Sequence, residues 1–216
     1  MPDSYITAKD YLSTAQQLSW FTLPQLQQLF HLNGRAYRLE RLSKKLSDKG
    51  KLKAEQYGHL KAYIVPRLAR KEGFNEPGHI YHGVATSQII ISFLQEGAEV
   101  ASKKMWFGQG IYPDCTIQFQ SGWLMPVEFA TKEHSRMLGV YKSKVTRYIS
   151  LLQEKWLILF VMDVPLNRLE YLVSQYTPHP SFYYITYEGF LQIPYGRHLD
   201  TPCYLNGATR KMEALR

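Results

Sequence analysis

Residues 35–50, RAYRLERLSKKLSDKG, decide how the first third of the chain is read. Leu39, Leu42 and Leu46 recur at i, i+3 and i+7, which predicts a helix over 35–49 with one apolar stripe. Arg38, Arg41 and Lys45 repeat the same interval one position earlier, with Arg35 and Lys44 close by. A cationic flank therefore runs beside the buried one. Gly50 is the natural stop, since glycine takes the left-handed conformation that closes many helices.

Upstream, 6–18 reads as a first helix and 23–30 as a second. Thr22 is a candidate N-cap, Pro24 stands in the first turn, and Leu26, Leu29 and Phe30 form an apolar face. Residues 31–34 make the turn into the basic helix. Downstream, 51–54 and 62–66 read as two short strands about a turn at Gly58, which sets His59 and Lys61 where they can touch phosphate. Two helices, a basic helix and a hairpin predict a winged helix-turn-helix DNA-binding domain over residues 1–70, with its third helix in the major groove of double-stranded DNA. The expected DNA-binding residues are Arg35, Arg38, Arg41, Lys44, Lys45 and Lys61. Most of these side chains should meet phosphate, which positions the protein without reading sequence; Arg35, Arg38 and Arg41 are preferred for the bases.

Charge is distributed to match. The 216 residues carry a net +8. Residues 1–72 hold thirteen Lys and Arg against six Asp and Glu, a net of +7, whereas 73–216 hold thirteen against twelve. A polyanion-binding module is thus joined to an electrostatically ordinary one. No apolar run approaches the roughly 18 residues of a membrane span, and the N-terminus lacks the pattern of a signal peptide. Cys115 and Cys203 are too few for a disulfide framework or a cysteine-type zinc site. The expected location is the cytoplasm, with no membrane partner.

After a joint at 66–77, the second domain (71–216) reads as helix 80–94, strands 99–107, 111–119 and 123–130, helix 133–152, strand 156–164, helix 166–175 and strand 182–186. That order predicts an α/β (α+β) domain on a mixed sheet. Asp114 follows Pro113 at the head of one strand, and Glu128 lies inside the next, Met125-Pro126-Val127-Glu128-Phe129-Ala130. A carboxylate within such an apolar strand is costly to bury without a cation or hydrogen bonds. Two of them on adjacent strands can converge on one divalent ion, and hard oxygen ligands suit Mg²⁺ or Mn²⁺. Alternatively, Asp114 caps a turn and Glu128 points to solvent. His82, among Ile80, Val84 and Ile89, reads as a core histidine, and Glu96 and Glu99 as residues outside the metal set.

Pro113-Asp114, then Val127-Glu128-Phe129, then a lysine-bearing helix resemble the PD-(D/E)xK nuclease superfamily, which has a restriction-endonuclease-like fold. With the preceding basic module, the phrase Tyr81-His82-Gly83-Val84-Ala85, and Lys142, Lys144 and Tyr148 on the later helix, the chain is similar to plasmid replication-relaxation proteins and MobC-type relaxases. The likeness covers most of the chain up to Val164, and the order of its parts carries more weight than any single motif. It implies that Asp114, Glu128 and the main-chain carbonyl of Phe129 bind the metal, while a lysine orients water or stabilises phosphate charge. The lysine usually stands two residues after the glutamate, and here that residue is Ala130. Lys132, Lys142 and Lys144 are the substitutes, with Lys144 favoured.

The resemblance implies a metal-dependent DNA endonuclease or nickase in plasmid mobilisation or replication. The alternatives are a non-catalytic DNA-binding accessory or regulatory protein, and a transposition-type endonuclease subunit that needs a partner. Besides DNA at a plasmid origin or element end, a second copy of the chain or another protein is an alternative partner.

Overall fold

The computed structural model describes residues 6–32, 36–68, 77–102, 110–132, 138–151, 154–174, 180–200, 203–205 and 208–210. The protein is a mixed α/β chain in two compact units, Met1–Ile91 and Ser92–Arg216.

In the first unit, helix α1 (Ala8–Gln17) opens on a reciprocal cap. The Asp10 amide donates to Thr7 Oγ1 at 3.2 Å, and the Thr7 amide donates to Asp10 Oδ2 at 3.1 Å. Strand β1 (Phe21–Thr22) leads directly into α2 (Leu23–Leu29), where Gln25 Oε1 accepts the Thr22 amide at 2.9 Å. The basic helix, α3, spans Ala36–Asp48. Leu39 and Leu46 are buried and Leu42 is half-buried, as the leucine spacing requires. Ser43 is buried among them and satisfied twice: its hydroxyl donates to Leu39 O at 2.7 Å and pairs with Tyr11 Oη at 2.6 Å. At the end of α3, Gly50 takes φ +64°, and the Lys51 amide reaches back to Leu46 O at 2.8 Å.

Strands β2 (Lys53–Tyr57) and β3 (Leu60–Ile64) form a hairpin closed by Gly58 at φ +56°. β1 pairs with the far side of β3, giving an antiparallel sheet in the order β1-β3-β2. Helix α4 spans Pro77–Leu94, and its residues up to Ile91 belong to this unit. Trp20, Ala62, Ile64, Ile80 and Val84 share one core cluster. Gln25 Nε2 donates to Val84 O at 2.9 Å, and the Ser19 amide donates to Ser87 Oγ at 3.0 Å. Gly83 lets Trp20 approach: a Cβ there would stand 2.8 Å from Trp20 Cδ1. The first unit therefore extends to residue 91 rather than to the expected 70, because α4 packs on α2 and β3.

The second unit is built on a seven-stranded sheet in the order β10-β9-β8-β7-β6-β5-β4. Its strands are β4 (Glu99–Ser102), β5 (Cys115–Gln118), β6 (Leu124–Ala130), β7 (Ile158–Met162), β8 (Phe182–Thr186), β9 (Cys203–Leu205) and β10 (Ala208–Arg210). The β6-β7-β8 centre is parallel and the flanking pairs are antiparallel. Every residue of β7 is buried, as befits a central strand covered on both faces. Helices α5 (Leu138–Leu151) and α6 (Leu166–Ser174) supply Val145, Tyr148, Leu169 and Leu172 to one face, over Phe160, Phe182 and Tyr184. Phe93, Phe119 and Phe190 meet edge-on or tilted on the other, with Phe190 carried by α7 (Tyr187–Gln192). No helix among the described residues is long and apolar enough to cross a membrane.

Candidate active site

Side chains alternate along β6, so Met125, Val127 and Phe129 face one layer while Glu128 and Ala130 face the layer of α5. The registered neighbour of Glu128 on β7 is Phe160. Glu128 is thus a carboxylate set into an aromatic layer, 2% exposed, where ionisation is costly unless compensated. The edge-strand alternative, with Glu128 in solvent, does not hold.

The compensation comes from α5. Lys144 and Tyr148 are one helical turn apart and reach the same carboxylate. Tyr148 Oη donates to Oε1 at 2.7 Å, and Lys144 Nζ donates to Oε2 at 2.5 Å. Asp114 is half-buried just before β5. Its amide donates to Val127 O at 3.0 Å, and its Oδ2 accepts the Phe129 amide at 2.7 Å. Within an extended strand a residue's N–H and C=O share one edge, so the Phe129 carbonyl lies on the Asp114 side of β6.

Burial, reinforced by the neighbouring Asp114 charge, pushes the Glu128 carboxyl up to about 7 even though Lys144 and Tyr148 favour its ionised form. For Lys144, burial works against the ammonium, but the Glu128 and Asp114 carboxylates outweigh it and hold the group above the ordinary lysine range. Burial and the same two carboxylates push the Tyr148 hydroxyl upward, so it stays a donor.

The donor set fits a hard divalent ion. Asp114, Glu128 and the Phe129 carbonyl offer oxygen donors alone, the chemistry that Mg²⁺ or Mn²⁺ would take, with one or two carboxylates and water completing such sites. Among the described residues no three His, Cys, Asp or Glu side chains gather where they could hold a metal ion.

Ala130 is buried in the core cluster that also holds Val145 and Tyr148, so the position two residues past Glu128 is core. Lys144 brings an ammonium to Glu128 from the helix instead. Lys132 is exposed beyond the end of β6, and Lys142 is exposed on α5. Glu96 is engaged elsewhere: it accepts the amides of His198 at 2.6 Å and Leu199 at 3.1 Å, with His198 Nδ1 also at 3.1 Å. Glu99 is exposed on β4, and His82 is half-buried, its carbonyl accepting from Thr86 Oγ1 at 2.9 Å. The clasp between Glu96 and His198 has no local sequence signal, because its halves are 102 residues apart.

In the first unit Arg38, Arg41, Lys44, Lys45 and Lys61 are all exposed, while Arg35 lies outside the described residues. The cations divide between two sides of α3. Arg38, Arg41 and Lys45 line a recess with Tyr37, whose hydroxyl oxygen accepts from Arg38 Nε at 3.3 Å. Lys44, His59 and Lys61 line a groove between α3 and the hairpin, together with Glu40 and Asp48.

No family model matches this chain, and neither curated proteins nor solved structures show a significant match to it.

Proposed function

We propose that the chain is a metal-dependent DNA endonuclease or nickase of the relaxase-like kind that serves plasmid mobilisation or replication. In this reading the first unit is a winged helix that docks on duplex DNA, and the second is a PD-(D/E)xK-type nuclease domain. The observation that carries it is Glu128: a carboxylate buried in a sheet face, beside Asp114, with a lysine and a tyrosine of one helix on its two oxygens. Burial and the neighbouring Asp114 both work against the ionised form of Glu128, and a strongly perturbed acid beside a specific charge partner is the kind of group that marks a functional site.

Asp114, Glu128 and the Phe129 carbonyl would hold Mg²⁺ or Mn²⁺, which when bound supplies Lewis acidity and a water acidified toward neutrality. Lys144 contributes positive charge where the phosphate becomes more negative, and Tyr148 fixes the direction of Glu128. Exposed Arg38, Arg41, Lys44, Lys45 and Lys61 bind the phosphate backbone of the docking site.

A second reading is a DNA-binding accessory protein that has lost cleavage. Ala130 in the usual lysine position favours it. Supercoiled plasmid incubated with the protein and Mg²⁺, Mn²⁺ or EDTA separates the two. The nuclease reading expects relaxed or linear product with a divalent ion only, lost in Asp114→Ala and Glu128→Ala while duplex affinity is retained. Intact plasmid under every condition, or cutting by either variant, removes it.

A further inference from the structure

The site already contains a cation of its own. Both oxygens of Glu128 are occupied, but by groups of different kinds. Tyr148 is fully buried and fixed by edge-on contacts with Phe160 at 6.1 Å and Phe182 at 6.5 Å between ring centres. It is neutral and has nowhere to go. Lys144 stands at the rim, with 42% of its side chain exposed, on a flexible four-carbon stem. Its ammonium can exchange Glu128 for solvent or a phosphate oxygen without disturbing the core.

Resting on the nuclease reading, we propose that Lys144 is a tethered counter-ion that a divalent metal must displace from Glu128 Oε2. In the metal-free chain it neutralises a carboxylate that burial and Asp114 disfavour. Asp114 and Glu128, if they hold a divalent ion, would place a second positive charge beside the Lys144 ammonium on a carboxylate that is nearly shut off from water, and the two cations would repel. Lys144 then leaves with its proton and turns outward, where a phosphate would lie. Tyr148 stays on Oε1 and keeps the carboxylate aimed. Before it assists any reaction, then, Lys144 opposes metal loading, which makes loading easier when a phosphate is present to receive the ammonium.

Calorimetric titration of the full chain with Mn²⁺ tests this in the wild type, Lys144→Met and Lys144→Arg. Lys144→Met is expected to bind several-fold more tightly than the wild type, and Lys144→Arg to stay close to the wild type. A second measurement uses the unaltered protein: the Lys144 amine should react faster with an acetylating reagent, read by peptide mass spectrometry, once Mg²⁺ is saturating. Equal or weaker Mn²⁺ binding by a folded Lys144→Met overturns the proposal while leaving the metal site standing. So does a Lys144 reactivity that Mg²⁺ leaves unchanged. Absence of Mn²⁺ binding in every form removes the metal-dependent reading and this proposal together.

Discussion

Tyr148 reaches down from α5 to donate its hydroxyl proton to Glu128 Oε1 at 2.7 Å, across a layer that is otherwise aromatic and aliphatic. Removing that hydroxyl leaves a buried carboxylate oxygen without a donor. Tyr148→Phe should cost about 1–3 kcal/mol of stability, the penalty for orphaning a buried polar group. Denaturant unfolding checks the figure, and a variant as stable as the wild type would show that the hydroxyl is not compensating Glu128.

The raised affinity of Glu128 for its proton makes stability depend on pH in an unusual direction for a carboxylate. A folded pKa above the unfolded value means that the folded chain holds the proton more tightly. The resulting stabilisation is complete below the ordinary value of 4.5 and is lost as pH rises through about 7. Metal-free protein should therefore lose stability across that window relative to Glu128→Gln, which has no proton to release there. Parallel melting-temperature profiles for the two proteins would contradict this.

If the basic face of α3 docks on DNA, neutralising Arg38 and Arg41 should weaken duplex binding and flatten its salt dependence. Every phosphate that goes unneutralised should change the log–log slope by about 0.9. Fluorescence anisotropy over a salt series measures it. An unchanged slope would assign docking to the other side of the helix, where Lys44, His59 and Lys61 line their groove.

Gly83→Ala probes the packing of α4 in the first unit. The added methyl would sit 2.8 Å from Trp20 Cδ1 and 3.0 Å from Ser19 Oγ, inside any normal van der Waals approach. Overpacking of this kind typically costs about 1–3 kcal/mol. Thermal unfolding that matches the wild type would mean that α4 does not press on Trp20 in solution.

The parts of the fold legible in the sequence are those with a strong local period. The leucines of α3, the glycine that ends it and the apolar run of β7 each state their structure within a dozen residues. Asp114 and Glu128 are legible as a pair for the same reason, since strand alternation and the intervening turn bring them to neighbouring strands. Which lysine serves Glu128 is not: Lys132, Lys142 and Lys144 all satisfy spacing, and only the packing of α5 on the sheet selects Lys144. The attachment of α4 to the first unit is illegible because the helix is apolar nearly all round, with Ile80, Val84, Ala85, Ile89, Ile90 and Ile91 all buried. Such a helix has no polar face to say where its partners are. Strand β1, two residues long, and the β9-β10 hairpin carry too little pattern to separate them from loop.

Glu96 holds the amides of His198 and Leu199 with a carboxylate that is 5% exposed, beneath a histidine ring tilted against Phe190 at 4.6 Å. During synthesis the acid emerges long before the amides that satisfy it. Without those amides a buried Glu96 would lack two of its hydrogen-bond donors, which is costly for a carboxylate. The clasp thus ties the closing of the Phe93 layer to two distant parts of the chain, because the donors that satisfy Glu96 and the ring that meets Phe93 both come from residues 198–199.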